Sequence, residues 1–230
     1  IEIKGEGAVG LITYIRTDSI RVSQQAQNEA LEYIKTKYGQ QYAPDKPNQF
    51  RSRRSAQDAH EAIRPTSILR EPETIKTSLK RDQYRLYRLI YERFLASQMT
   101  PAQYETVTID IAGNEYIFRA NGSRKIFPGH TVIYLEGTDN DSDEKYSEKD
   151  IQLPELSEGE KVDLKQLIPE QHFTQPPSRY TEASLVRALE EKGIGRPSTY
   201  APTLSTIISR GYVIREKKYL VPTELGFIVN

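Results

Sequence analysis

The hydrophobic periodicity of this chain changes twice, and that double switch limits the fold more than any other feature. Up to about residue 101 apolar side chains recur at helical spacing; from about 102 to 170 they alternate with period two; from about 171 the helical spacing returns. The pattern predicts an α+β multi-domain chain in three regions, 1–101, 102–170 and 171–230. At 230 residues such a chain is long enough to bury a real core.

In the first region the run Val9-Gly10-Leu11-Ile12-Thr13-Tyr14 reads as a short apolar strand. Ser23 is placed to cap a helix that ends at Gly39, with Ala26, Ala30, Leu31, Ile34 and Tyr38 on its apolar face. Ser55 is placed to cap a short helix from Ala56 to Ile63, stopped by Pro65. A longer helix over 82–99 carries Leu86, Leu89, Ile90, Phe94 and Leu95 as its stripe, with tyrosines 84, 87 and 91 thickening it. In the middle region Val107, Ile109 and Ile111, then 116–118 and 131–134, read as antiparallel strands, with turns at Gly113-Asn114 and at Gly122. In the last region Thr181 is placed to cap a helix to Lys192, and Ser198 the next one to Arg210. A hairpin around Glu216-Lys217-Lys218 follows, so the region predicts a helix-turn-helix with a wing.

Thirty-two basic and 32 acidic side chains cancel, so any nucleic-acid site has to come from local clustering rather than overall charge. The absence of cysteine excludes disulfides, thiolate zinc sites and a cysteine nucleophile. No apolar run approaches the roughly 20 residues that span a bilayer, and the first residues do not read as a signal peptide, so the expectation is a cytoplasmic protein without membrane contact. Both ends read as internal to a longer chain.

Three clusters carry chemistry. Thr13-Tyr14-Ile15-Arg16-Thr17-Asp18-Ser19 places a phenol, a guanidinium and a carboxylate at alternate positions, which in an extended stretch share one face. A tyrosine with a pKa of about 10 is ionised roughly once in a thousand at pH 7, so a nucleophilic one needs a cation such as Arg16 nearby. The competing reading is a packed Tyr14 beside a surface Arg16–Asp18 ion pair. The second cluster, residues 51–66, sets His60 and Arg64 four apart on one helix face among basic residues, suited to hold a phosphodiester; a solvated surface is the alternative. In the third, Arg179 and Arg196 stand beside the helix starts at Thr181 and Ser198-Thr199, a pair of phosphate sites or simply ordinary caps. The spacing Asp139-x-Asp141-x-Asp143 opens like a calcium loop, but Glu144 stands where the turn needs glycine, so an acidic loop over 139–150 is the reading and no metal site is assigned.

Taken together, the runs 10–19, 59–66, 99–102, 176–186 and 193–200 resemble, in order, those of the bacterial type IA DNA topoisomerases. Ile15, where the topoisomerase III branch usually has proline, points to the topoisomerase I branch. The resemblance implies an enzyme in which Tyr14 attacks a backbone phosphate of single-stranded DNA, forming a 5′-phosphotyrosine link. It implies that Arg16 positions the phosphate and that His60 contacts it. It further implies that Asp18 supports the local hydrogen bonds and that Arg196, Ser198 and Thr199 hold the incoming strand. Three partial domains are implied as well: a tyrosine domain of helix-turn-helix character, an antiparallel β arch and a second helix-turn-helix-like domain. So is a magnesium ion bound by an N-terminal Toprim domain with no counterpart here, which would leave the segment alone able to bind single-stranded DNA but catalytically incomplete. The full-length enzyme is implied to be monomeric. A non-enzymatic winged-helix DNA-binding protein is the alternative, and a tyrosine recombinase fits worse because its tyrosine follows its arginine and histidine residues.

Overall fold

The computed structural model describes residues 1–3, 5–17, 19–50, 61–135 and 153–229. The chain divides into two compact units: Ile1–Gln103 with Ile126–Gly137, and Tyr104–Lys125 with Thr138–Asn230. Helices and small antiparallel sheets are mixed along it, in keeping with the α+β expectation.

The first unit is built on two helices. Helix α1 (Gln24–Tyr38) begins where Ser23 Oγ accepts the Ala26 amide and ends at Gly39, whose N–H bonds the Ile34 and Lys35 carbonyls. Its face of Ala26, Ala30, Leu31 and Ile34 is buried as the spacing predicted. The short α2 (Pro72–Ile75) and the long α3 (Arg81–Ser97) close the core, adding Ile75, Tyr87, Tyr91, Phe94 and Leu95, with Ile68 and Met99 from the connecting chain. The buried stripe of α3 matches the expected one at Phe94, Leu95, Tyr87 and Tyr91, the tyrosines being 3% and 4% exposed, and departs from it at Leu86 and Leu89, which face solvent. Positions 87, 91, 94, 95 and 98 form one face of a 3.6-residue helix, and its tyrosines enter the core because each hydroxyl has a carbonyl to bond. Tyr87 donates to Arg70 O at 2.7 Å and Tyr91 to Ile68 O at 2.8 Å.

Two expected strands do not form in this unit. Strands β1 (Glu2–Ile3) and β2 (Gly7–Ala8) make a small hairpin, but in 9–14 only Ile12 forms a bridge, to Pro65. Residues 129–132 make a 3₁₀ turn rather than a strand. The reason lies at Gly129, where φ is +49° and an added Cβ would sit 2.5 Å from the Pro101 and Ala102 backbone. That close approach bends the chain before an apolar run whose alternation alone suggested β.

Strands β3 (Gln103–Gly113) and β4 (Tyr116–Phe127), which fall in the second unit except at Gln103 and 126–127, form a hairpin about the Asn114-Glu115 turn, Asn114 taking a φ of +56°. Cross-strand bonds Arg119–Asp110 and Arg124–Glu105 nest about that turn, which makes the pair antiparallel. Gly122 lies inside β4 and makes no turn. Helix α4 (Glu182–Glu191) is capped by Thr181, as expected. Helix α5 (Pro197–Ser209) starts earlier than expected, with Arg196 at the cap position and Ser198 already inside. Proline at the first helical position has no N–H to leave unpaired, and Thr199 Oγ1 takes the Arg196 amide at 2.8 Å. Strands β5 (Val213–Glu216) and β6 (Tyr219–Pro222) pair antiparallel, and α6 (Glu224–Val229), which no pattern suggested, follows. Leu204 and Leu220 are the buried apolar side chains among the described residues of this unit.

Candidate functional site

The Tyr14 loop is held at both ends by one short stretch of chain, residues 61–66. On the entry side, Thr66 N bonds Leu11 O at 2.9 Å and Thr13 N bonds Arg64 O at 3.0 Å. The Thr13 hydroxyl works twice, donating to Ala62 O at 2.8 Å and accepting the Arg64 amide at 3.0 Å. On the exit side, Ala62 N bonds Arg21 O at 2.8 Å, and the Ser23 amide donates to Glu61 Oε1 at 2.7 Å. Tyr14 itself is 73% exposed, Arg16 is half-buried and Ser19 is buried. The loop therefore presents a phenol to solvent from an anchored base, with a guanidinium two residues along.

The extended stretch expected from residue 14 onward is interrupted at Ile15. Arg16 N bonds Tyr14 O at 2.9 Å, a tight bend at Ile15, so 14 and 16 do not project as neighbours on an extended strand. Asp18 and His60 lie outside the described residues, as do Ser55 and the acidic loop 139–150. Of the short helix expected over 56–63, only 61–63 are described, and they are not helical. The shared helix face proposed for His60 and Arg64 therefore lacks its basis at the Arg64 end.

Arg64 faces inward instead. Its guanidinium bonds both carboxylate oxygens of Glu61, at 3.2 and 3.1 Å, as well as Pro65 O at 2.9 Å. Burial alone would raise the Glu61 pKa, but the Ser23 amide and hydroxyl and the Arg64 charge outweigh it and hold the carboxyl below its usual range. Sequence reasoning missed Glu61, although its three-residue spacing from Arg64 was a legible signal of an ion pair.

In the other unit, Arg196, Ser198 and Thr199 are exposed at the start of α5, with Arg196 Nη1 on Gly195 O at 2.7 Å. Arg179 is exposed in the extended chain before Thr181. Among the described residues, no three His, Cys, Asp or Glu side chains converge as a metal site would need, and no helix is long and apolar enough to cross a membrane.

A family model described as DNA topoisomerase matches residues 6–230. The chain belongs to the DNA topoisomerase family. Among solved structures, full-length topoisomerase I from Thermotoga maritima is similar, at 38% sequence identity and a TM-score of 0.78 over 98% of this chain. The topoisomerase segment spans 35% of the length of that relative. Family and fold together support the resemblance to the bacterial type IA enzymes first seen in the sequence motifs.

Proposed function

We propose that this topoisomerase segment carries the nucleophile of a DNA strand-passing enzyme. Tyr14 Oη gives up its proton and attacks a backbone phosphorus of single-stranded DNA, a tyrosine–phosphate bond forms, and the bond to the 3′ oxygen breaks, with one proton lost at the phenol and one gained at that oxygen. That oxygen leaves as a 3′-hydroxyl after taking a proton, and reversal of the step reseals the strand. One phosphodiester replaces another, so no ATP is required, and the protein contributes orientation and charge. The observation carrying this reading is an exposed phenol on a loop anchored at both ends, with Arg16 two residues along to stabilise phosphate charge. Asp18 and His60 keep the roles the resemblance implies, as supports of the local hydrogen bonds and of the phosphate.

Arg179, Arg196, Ser198 and Thr199 are the proposed strand-holding residues, being exposed at the two helix starts. Single-stranded DNA is the proposed partner and a monomer in the cytoplasm the proposed state. The domain reading of 1–101, 102–170 and 171–230 as tyrosine domain, arch and second helix-turn-helix-like domain belongs to the same proposal. Among the described residues no three His, Cys, Asp or Glu side chains converge, and the magnesium ion is proposed to sit in the Toprim domain. General acid–base assistance supplies typically about 10²–10⁴-fold, so the segment alone is expected to bind DNA and to cleave it poorly.

The test is covalent trapping. Joined to its Toprim domain, the protein is expected to become attached to 5′-phosphate ends of cleaved single strands, and Tyr14→Phe is not. A second reading, a non-enzymatic winged-helix DNA-binding protein, is favoured by α4 and α5 followed by the β5–β6 hairpin. Absence of adduct in both proteins would favour it.

A further inference from the structure

The stretch 61–66 contacts the chain on both sides of Tyr14, and one ion pair lies at its centre. Glu61 Oε1 accepts the amide of Ser23, the residue that caps α1, at 2.7 Å. The same carboxylate receives the Arg64 guanidinium, and Arg64 Nη2 also reaches Ser23 Oγ at 3.4 Å. Arg64 in turn sits in the backbone pairing with Thr13, one residue before the tyrosine. The side chains of Arg64 and Glu61 are only 14% and 26% exposed, so the pair is largely shielded from competing water and salt. The loop thus starts from Thr13, which is bonded to the Arg64 backbone, and leads on to Ser23, which is bonded to the Glu61 and Arg64 side chains, so the ion pair joins the anchors on its two sides.

We propose that Glu61 and Arg64 are positioning residues for the Tyr14 loop, acting through Ser23 and Thr13, and that Arg64 is not a DNA-phosphate ligand. The proposal rests on the assignment of Tyr14 as nucleophile. A clamp of this kind affects the rate of attack rather than the affinity for DNA, because a nucleophile misplaced by about 1 Å can cost on the order of 10²-fold. Glu61→Gln keeps an acceptor for the Ser23 amide and for Arg64, whereas Glu61→Ala removes both.

The experiment uses the protein joined to its Toprim domain and a fluorescent single-stranded oligonucleotide, measuring adduct formation at saturating DNA and the salt dependence of binding. Glu61→Ala and Arg64→Gln are expected to slow adduct formation at least about tenfold, with the dissociation constant within about twofold. Glu61→Gln is expected to restore most of the rate, a rescue that general loss of stability does not predict. The salt slope of Arg64→Gln is expected to equal that of the unsubstituted protein; a slope shallower by about 0.7 would make Arg64 a phosphate ligand and overturn the proposal. Unchanged adduct rates in both Glu61→Ala and Arg64→Gln would overturn it as well. If the unsubstituted protein forms no adduct, the tyrosine assignment fails, and amide exchange on the 230-residue chain then decides the clamp separately. Faster exchange at Ser23 and Thr13 in Glu61→Ala supports it, and unchanged exchange at both overturns it.

Discussion

Tyr87 shows how a single polar atom can be admitted to an apolar core. Its ring is buried, its hydroxyl bonds the Arg70 carbonyl, and burial pushes its pKa up to about 12, with the Arg70 charge acting weakly the other way. In the unfolded chain the same phenol ionises from about pH 10, so stability is full below that pH and is lost as pH rises from 10 through 12. Tyr33 and Tyr91 shift in the same direction, also led by burial, and add to the alkaline loss. Urea denaturation is expected to show Tyr87→Phe less stable at pH 7 by about 0.5–1.5 kcal/mol, the worth of one hydrogen bond. The variant should also lose less stability between pH 9 and pH 11 than its parent. On the acid side, Glu71 is held below its usual pKa by its hydrogen bond from Lys37 and then that from Tyr33, so its contribution is present above pH 4.5 and fades as pH falls through its lowered pKa.

The elements owe their limits to a few local contacts. Helix α1 is stopped at both ends by residues read correctly from the sequence, Ser23 and Gly39, because capping is chemistry between near neighbours. Ser23→Ala is expected to cost about 1 kcal/mol in chemical denaturation, the usual value of an N-cap. The C-terminal helix α6 depends on a tertiary contact instead. Thr223 Oγ1 donates to Gly211 O at 2.6 Å, and a Cβ on Gly226 would lie 2.2 Å from the Tyr212 carbonyl oxygen. Since that neighbour is backbone, Gly226→Ala is expected to displace α6 and destabilise its packing by about 1–3 kcal/mol, read as faster amide exchange in β5 and α6. The stripe of α3 is legible only in part for a similar reason: Phe94, Leu95, Tyr87 and Tyr91 are buried as expected, but Leu86 and Leu89 face solvent while the tyrosine hydroxyls find carbonyl partners.

At the scale of the molecule the two units differ in how much apolar surface they bury. The first holds a continuous core from α1, α2 and α3, while the described part of the second buries Leu204 and Leu220. Amide exchange is therefore expected to be slowest in α1 and α3 and faster throughout α4, α5 and the β5–β6 hairpin. For DNA binding, Arg196→Ala is expected to reduce the slope of log affinity against log salt by about 0.7, and an unchanged slope would remove Arg196 from the strand-holding set. What the sequence determined by itself was the order of helical and β regions, the caps of α1 and α4, the hairpin at Asn114 and the family, because periodicity, capping and motif spacing are local properties. Only the tertiary structure decided that 129–132 bends instead of pairing, that Leu86 and Leu89 face solvent, and that Arg64 turns inward to Glu61 beside the Tyr14 loop. Each of those outcomes depends on which groups, distant in sequence, come close enough to clash or to share a hydrogen bond, and no spacing along the chain records that.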